Sequence, residues 1–412
     1  MAMKKNERFN TIDLFAGCGG LTDGFEKSGK FRSLGCVEWE REPCRTLATR
    51  FREKYGYKNT DDIIVRFDIQ RTEELFLGWS DDPEYGTHKG LDKLVGEQNV
   101  DIVIGGPPCQ AYSVAGRIRD SKGMHDDYRN FLFESYVKVV DRYRPKVFIF
   151  ENVQGLLSAR PGGISIVERI TLAFKEIGYS ITSDLKNEAL VNCVDFGIPQ
   201  NRKRLIIIGI DDKQVKGESE IAIRNFYNEL RASKKDKIST VSDVLKGLPS
   251  FVSQEQVIAR DGKKTRHFGD FTISNHFPRL HSLRDVNTFR LLAEDIISGK
   301  NQYVKADALK ELYFQLTGKQ SNIHKYHVLQ WDKPSNTIPA HLYKDGLRHI
   351  HPDPSQARSI TVREAARIQT FDDDYHFLGS MTDQFKMVGN AVPPKLSLII
   401  AEVLIDFLKK FF

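Results

Sequence analysis

A short apolar run at residues 100–104 is stopped by Gly105-Gly106-Pro107-Pro108-Cys109-Gln110. The run reads as a buried strand, and two prolines in series end it, because neither can donate to a sheet ladder. Each proline fixes its own φ, and the first also restricts the residue before it. Cys109 is therefore carried on a stiff turn just past a strand. A packing cysteine needs no such mount; a nucleophile that must point one way does.

The flanking sequence says what kind of sheet this strand joins. Residues 9–15, 32–39, 63–69, 146–150 and 205–210 read as further strands, with helices expected at 21–28, 43–51, 131–143 and 164–177. Strand–helix alternation of this kind specifies an α/β fold with a doubly wound, mostly parallel sheet. Residues 70–99 are polar, with weak signals. Residues 111–128 are rich in glycine and charge and read as a long loop that carries function. Thr361-Val362-Arg363-Glu364 is a capping box expected to open a helix over 365–370. Leu396, Ile399, Ile400, Val403, Leu404, Phe407, Leu408 and Phe411 form one helical face. That helix is expected to dock on the first domain's sheet, making the domain discontinuous.

The chain has 412 residues, enough for two domains, with 40% hydrophobic and 28% charged residues, as in soluble globular proteins. Residues 1–10 are polar and basic, and the apolar tail is broken by Glu402, Asp406 and Lys409, so neither a signal segment nor a membrane span is expected. Five cysteines without paired spacing fit a reducing cytoplasm. Residues 211–358 hold 24 Lys/Arg against 18 Asp/Glu, so the chain's whole net charge of +6 lies there, with eight of the eleven histidines. Such an excess suits a polyanion such as nucleic acid; a solvated basic surface is the plainer alternative. The expected division is a catalytic domain of 1–210 plus 385–412, an irregular reading domain of 211–358, and a joining hinge and helix at 359–384.

Asp13-Leu14-Phe15-Ala16-Gly17-Cys18-Gly19-Gly20 lies between a strand and a helix, where glycines let backbone approach a ligand. Thr22 stands where a dinucleotide fingerprint wants its third glycine, which weakens a nicotinamide-cofactor reading. Glu38 follows Gly19 at a spacing near that of a ribose-binding acid. Trp39 could stack on a purine, and Asp68 could accept from an exocyclic amine. Together they describe an adenosine site; a tight turn with a surface Glu and a core Trp is the alternative.

These segments, with Glu151-Asn152-Val153, Gln200-Asn201-Arg202-Lys203-Arg204, Arg363-Glu364-Ala365-Ala366-Arg367 and Gly389-Asn390-Ala391-Val392-Pro393-Pro394, occur in the order found in carbon-5 cytosine DNA methyltransferases, which the sequence resembles. The resemblance implies a Rossmann-like methyltransferase fold and S-adenosylmethionine as methyl donor, leaving as S-adenosylhomocysteine. It implies that Phe15, Gly17, Gly19, Gly20, Glu38, Trp39, Asp68, Ile69, Pro107, Leu132, Asn390 and Ala391 bind the donor. Cys109 corresponds to the nucleophile that adds to cytosine carbon 6, giving carbon 5 enamine character. Its thiolate needs a positive surrounding, for which Arg202 and Arg204 are candidates. Glu151 would contact ring nitrogen 3 and the amine, Arg204 the ring's O2, and Asn152 would brace the Pro-Pro-Cys turn. Arg202 is counted with the catalytic set, although with Gln200 it reads more as support.

No metal is implied, and the histidines of the basic segment are expected mostly at the surface or on DNA backbone. The target carbon is inaccessible in a stacked duplex, so the base must flip out, with residues 111–128, including Ser113, Arg117 and Arg119, closing over it. Residues 211–358 would read the sequence, from the major groove. The implied partners are double-stranded DNA and, without direct contact, a restriction endonuclease of the same site; the expected state is a monomer in the cytoplasm. A tRNA methyltransferase and a silent DNA-binding homologue are the alternatives. The 148-residue span favours DNA, and the full set of motifs favours activity.

Overall fold

The structure, a computed structural model, describes residues 8–108, 132–160, 163–344 and 346–412. The contacts gather into two units. The first comprises Met1–Phe196, Lys203–Asp236 and Ala391–Phe412; the second comprises Gly197–Arg202 and Lys237–Asn390.

The first unit is built on one mixed sheet of β1 (Phe9–Leu14), β2 (Phe31–Glu38), β3 (Ile64–Arg66), β4 (Ile102–Gly105), β5 (Val147–Val153), β6 (Tyr179–Ile181), β7 (Leu190–Asn192) and β8 (Lys203–Asp211). The order is β3-β2-β1-β4-β5-β8-β6, with β7 also on β8. β1 to β5 are mutually parallel, and β8 runs antiparallel to β5, β6 and β7. β5 and β8 read as nearly continuous apolar runs because both of their faces are buried. Helices α1 (Gly20–Lys27), α2 (Arg41–Tyr55), α3 (Leu132–Tyr143) and α4 (Ile166–Glu176) belong to the same unit. Residues 70–99, featureless in sequence, fold as two six-residue helices around a small hairpin.

Three expectations need correction here. Residues 211–236 pack in the first unit: α5 (Ser219–Ala232) sends Tyr227 Oη to the carbonyl of Ile206 at 3.1 Å, tying it to β8. The helix Pro394–Phe411 does return to the first unit, but its main neighbours are α1 and α5 rather than the sheet itself. There Ser397 donates to the Leu21 carbonyl. Residues 359–384 are not a separate hinge; they lie inside the second unit.

That unit is also less irregular than its sequence suggests. Helices α6 (Leu283–Ile297) and α7 (Ala306–Thr317) share a core of Phe289, Leu292, Leu309, Leu312, Tyr326 and Ile350. β9 (Phe251–Arg260) and β10 (Lys263–Gly269) form a two-stranded ribbon. The capping box expected at Thr361 is formed and opens α8 (Val362–Ile368). Its Glu364 also accepts two 2.7 Å bonds from the buried Arg358, and Arg363 donates to the carbonyls of Ser274, Asp372 and Tyr375. The last helix of the unit is α9 (Met381–Asn390).

The histidines also depart from expectation. His267, His276, His281, His349 and His351 are buried. Burial pushes them below the usual imidazole range, to about 4 for His267 and about 3 for His281, His349 and His351. They are neutral core groups: His276 meets the Thr361 hydroxyl at 2.9 Å and His281 the Ser359 hydroxyl at 3.0 Å.

Candidate active site

Because β1 to β5 are parallel and in register, Leu14, Glu38, Arg66, Gly105 and Val153 end them along one edge of the sheet. β8 runs the other way, so its first residues, Lys203 and Arg204, begin at that edge, with Arg204 opposite Val153. The expected site residues of the first unit therefore leave the sheet together. The order reverses between β1 and β4, the kind of switch point at which open α/β sheets bind ligands.

At the β1 end the backbone turns sharply. Phe15 adopts φ +59°, and Gly17 and Gly19 adopt +56° and +92°. A non-glycine residue in that region is uncommon and costs on the order of 1–3 kcal/mol, which the surrounding structure must offset. A Cβ added to Gly17 would meet nothing within 4 Å, so the loop is open to a ligand there. One added to Gly20 would lie 2.3 Å from the Val392 carbonyl oxygen and 3.0 Å from Ala391 Cβ, so the loop is clamped from behind.

Glu38 organises this loop. Its carboxylate accepts the N–H groups of Gly17, Trp39 and Glu40, each at 2.8 Å. A carboxylate has about four acceptor sites, so one remains on Oε2 for a hydroxyl. Burial raises the Glu38 carboxyl to about 7, against the lowering effect of the three N–H groups. Asp13 beneath it is also raised to about 7, mainly by burial, and accepts from Thr22, the residue that departs from the dinucleotide fingerprint. The alternative of a surface Glu and a core Trp is reversed: Glu38 is buried and Trp39 is 51% exposed. Asp68 lies beyond β3 rather than within it, and its Oδ1 accepts Gln70 N–H at 3.0 Å. Ile69, Pro107 and Leu132 are buried. The remaining acceptor site on Glu38 and the exposed ring of Trp39 suit an adenosine-bearing donor. Asn390 is exposed at the end of α9 in the second unit.

Cys109 and the segment 111–128, with Ser113, Arg117 and Arg119, lie outside the described residues. Their mount is described. Glu151 lies within β5, not after it, paired with Ile206 of β8. Its Oε1 meets Arg204 Nε at 2.8 Å, with both side chains about one-tenth exposed. A Cβ on Gly106 would fall 2.6 Å from Glu151 Oε2, so the carboxylate presses on the start of the Pro-Pro turn. Asn152 Nδ2 donates to the Pro107 carbonyl at 3.4 Å.

Arg202 is placed differently from Arg204. It is buried and donates to the carbonyls of Ile338 and Gly389, both at 2.9 Å, within the second unit. It is a brace, and its place among the catalytic residues is withdrawn. Gln200 is the same kind of support, donating to Gln369 at 2.8 Å and accepting Ile338 N–H at 2.9 Å. Cys18, Cys36, Cys44 and Cys193 are buried packing residues. Among the described residues no His, Cys, Asp and Glu group could hold a metal ion, and no helix is long and apolar enough to cross a membrane.

A doubly wound, mostly parallel sheet with a glycine turn and a buried glutamate at its switch point has the architecture of the Rossmann-like methyltransferase class. The model of the family described as C-5 cytosine-specific DNA methylase matches residues 9–406, and the chain belongs to that family. It is similar to the type II methyltransferase M.Bpa9945I of Bacillus paralicheniformis, at 33% identity over 96% of this chain and 98% of the relative. It is also 32% identical to M1.HphI of Haemophilus parahaemolyticus, over 96% of this chain and 86% of that one. Among solved structures, a candidate DNA modification methyltransferase encoded within an E. coli prophage shares the fold, at a TM-score of 0.60 and 23% identity over 97% of this chain and 99% of that one. The chain is thus a cytosine-5 DNA methyltransferase, with S-adenosylmethionine as the donor its family implies; the tRNA and silent alternatives are not favoured.

Proposed function

We propose that catalysis runs through a covalent adduct of Cys109. Its thiolate adds to carbon 6 of a flipped-out cytosine, and the electron pair displaced from the 5,6 double bond makes carbon 5 nucleophilic. Glu151 accepts from the exocyclic amine and passes a proton to ring nitrogen 3, which favours the addition, and Arg204 donates to O2. S-adenosylmethionine, when bound, supplies the methyl group. Glu38 takes its ribose hydroxyls, Trp39 and Asp68 its adenine, and the backbone at Gly17 and Gly19 its close approach. Water then takes the carbon-5 proton, the freed electron pair re-forms the 5,6 double bond, and Cys109 leaves carbon 6 as its thiolate.

What supports this reading is the meeting of Glu151 and Arg204, 2.8 Å apart, against Gly106 at the start of the Pro-Pro-Cys turn. Asn152 holds the turn's carbonyl, so the cysteine's mount and the ring-gripping pair share one support.

The second unit carries 22 Lys/Arg against 17 Asp/Glu, most of the chain's basic excess, and serves as the target-recognition part. The remaining partner is a restriction endonuclease cutting the same site, which methylation protects, and the working compartment is the cytoplasm. Bisulfite sequencing of DNA from a host expressing the protein tests the reading: one sequence context is protected at cytosine. Cys109→Ser removes the protection while duplex binding persists. Protection by the Cys109→Ser variant would sink the nucleophile assignment.

A further inference from the structure

The ribbon of β9 and β10 pairs with no other strand among the described residues. Such a ribbon is marginal alone, and this one is pinned along one face. Phe251, Thr265 and His267 are fully buried. His267 Nε2 lies 2.7 Å from the Gln356 carbonyl, and Phe251 N–H donates to Gln356 Oε1 at 3.2 Å. Arg260 and Lys263, paired at the ribbon's end, sit over the rings of Phe271 and Phe277 at 5.0 and 5.6 Å.

Alternate residues point the other way. On that face Val252 and Phe268 stand opposite each other, 59% and 68% exposed, followed by the pair Ala259 and Lys264. Between these pairs the ribbon bulges, with residues 254–257 opposite Arg266 alone. Arg266 donates to the carbonyls of Glu255 and His281, which fixes the bulge and leaves Gln256 and Val257 exposed on it. Bulges of this kind re-aim side chains and are built features rather than faults.

An exposed apolar face in a basic unit needs an occupant that is both anionic and locally apolar. Duplex DNA is the substrate, and a two-stranded ribbon fits its major groove, about 12 Å wide. There the thymine methyl is the group an apolar side chain reads. We infer that the outer face of this ribbon reads bases in the major groove, with Val257 and Phe268 on thymine methyl groups. The recognition sequence therefore contains an A·T pair. The inference rests on the second unit being the target-recognition part.

The test uses the full-length enzyme and the duplex that bisulfite sequencing identifies. Each thymine is replaced in turn by uracil, which removes only the methyl group. At one position or more, kcat/KM of the wild type should fall about fourfold, the worth of one buried methyl. Phe268→Ser and Val257→Ser, both at exposed sites, should lose the thymine–uracil difference while donor affinity stays unchanged. A recognition site without an A·T pair overturns the inference. So does a wild type indifferent to every uracil, or variants that discriminate as it does. A wild type that methylates no duplex overturns the underlying function as well.

Discussion

Gly106→Ala isolates the geometry of the proposed site in a single methyl group. The new Cβ would lie 2.6 Å from Glu151 Oε2, where ordinary contact begins at 3.4 Å, so the carboxylate must retreat by about 0.8 Å. It cannot do so freely: Oε1 is held by Arg204 Nε at 2.8 Å, and Glu151 sits in a strand bonded on both sides. A displacement near 1 Å in a positioning group costs roughly a hundredfold in rate, or about 2.7 kcal/mol of barrier. Overpacking should lower stability by only about 1–3 kcal/mol. Single-turnover methyl transfer with labelled donor, alongside donor and duplex dissociation constants, separates the two. The expected result is a large loss in the chemical step with both affinities within a few-fold of wild type. Combining Gly106→Ala with Glu151→Ala supplies the control, because once the carboxylate is gone the methyl should add little further loss. A single variant with wild-type turnover, or losses that multiply independently in the double variant, would refute the argument.

Glu38→Ala orphans three backbone N–H groups at once. It should raise the donor dissociation constant at least tenfold and destabilise the first unit by about 2–3 kcal/mol; calorimetric titration with S-adenosylmethionine checks the first and thermal unfolding the second. Arg202→Ala should cost about 3 kcal/mol or more by stranding buried carbonyls. The folded fraction should keep near wild-type turnover per bound donor, and a selective collapse of turnover at full stability would return Arg202 to the catalytic set. The units should respond oppositely to pH. In the second, the buried histidines have folded values of about 3 to 4 against 6.5 unfolded, so their stability is present above pH 6.5 and is lost as pH falls toward 4. In the first, Asp13 and Glu38 are raised to about 7, so their contribution is full below about pH 4 and lost as pH rises through 7. Urea midpoints followed between pH 7.5 and 5 by probes in each unit should diverge, and parallel shifts would contradict the assignment.

Much of the first unit was legible because its causes are local. An apolar run closed by glycine or proline declares a strand and its end, and the Gly19–Glu38 spacing measures the helix and strand that follow the first turn. Strand direction is not local: residues 205–210 read the same in either sense, and only pairing with β5 makes β8 antiparallel. That reversal brings Arg204 to Glu151. Arg202, two positions away, already reads more as support, but what it supports was hidden, because the carbonyl of Gly389 it serves is 187 residues distant. The histidines misled for the same reason. Their polarity suggests the surface, but Thr361, Ser359 and Gln356 satisfy His276, His281 and His267 inside. Residues 219–232 were overlooked although amphipathic, because the surrounding charge pointed to a separate domain.

The pairing of Glu151 with Arg204 also bears on which base the proposed site can accept. Two opposite charges that are each about nine-tenths buried are costly to leave alone, and the loss of either partner would strand the other. Held against each other, both keep their positions beside the cysteine's mount. A cytosine edge offers the same complement that each gives the other: an amine donor for the carboxylate and a carbonyl acceptor for the guanidinium. Entry of the base can therefore exchange partners rather than break bonds outright, which keeps the price of opening the pair low. Guanine presents a carbonyl where cytosine has its amine, and would leave the carboxylate facing an acceptor. In the proposed mechanism the same pair would thus also penalise the wrong base.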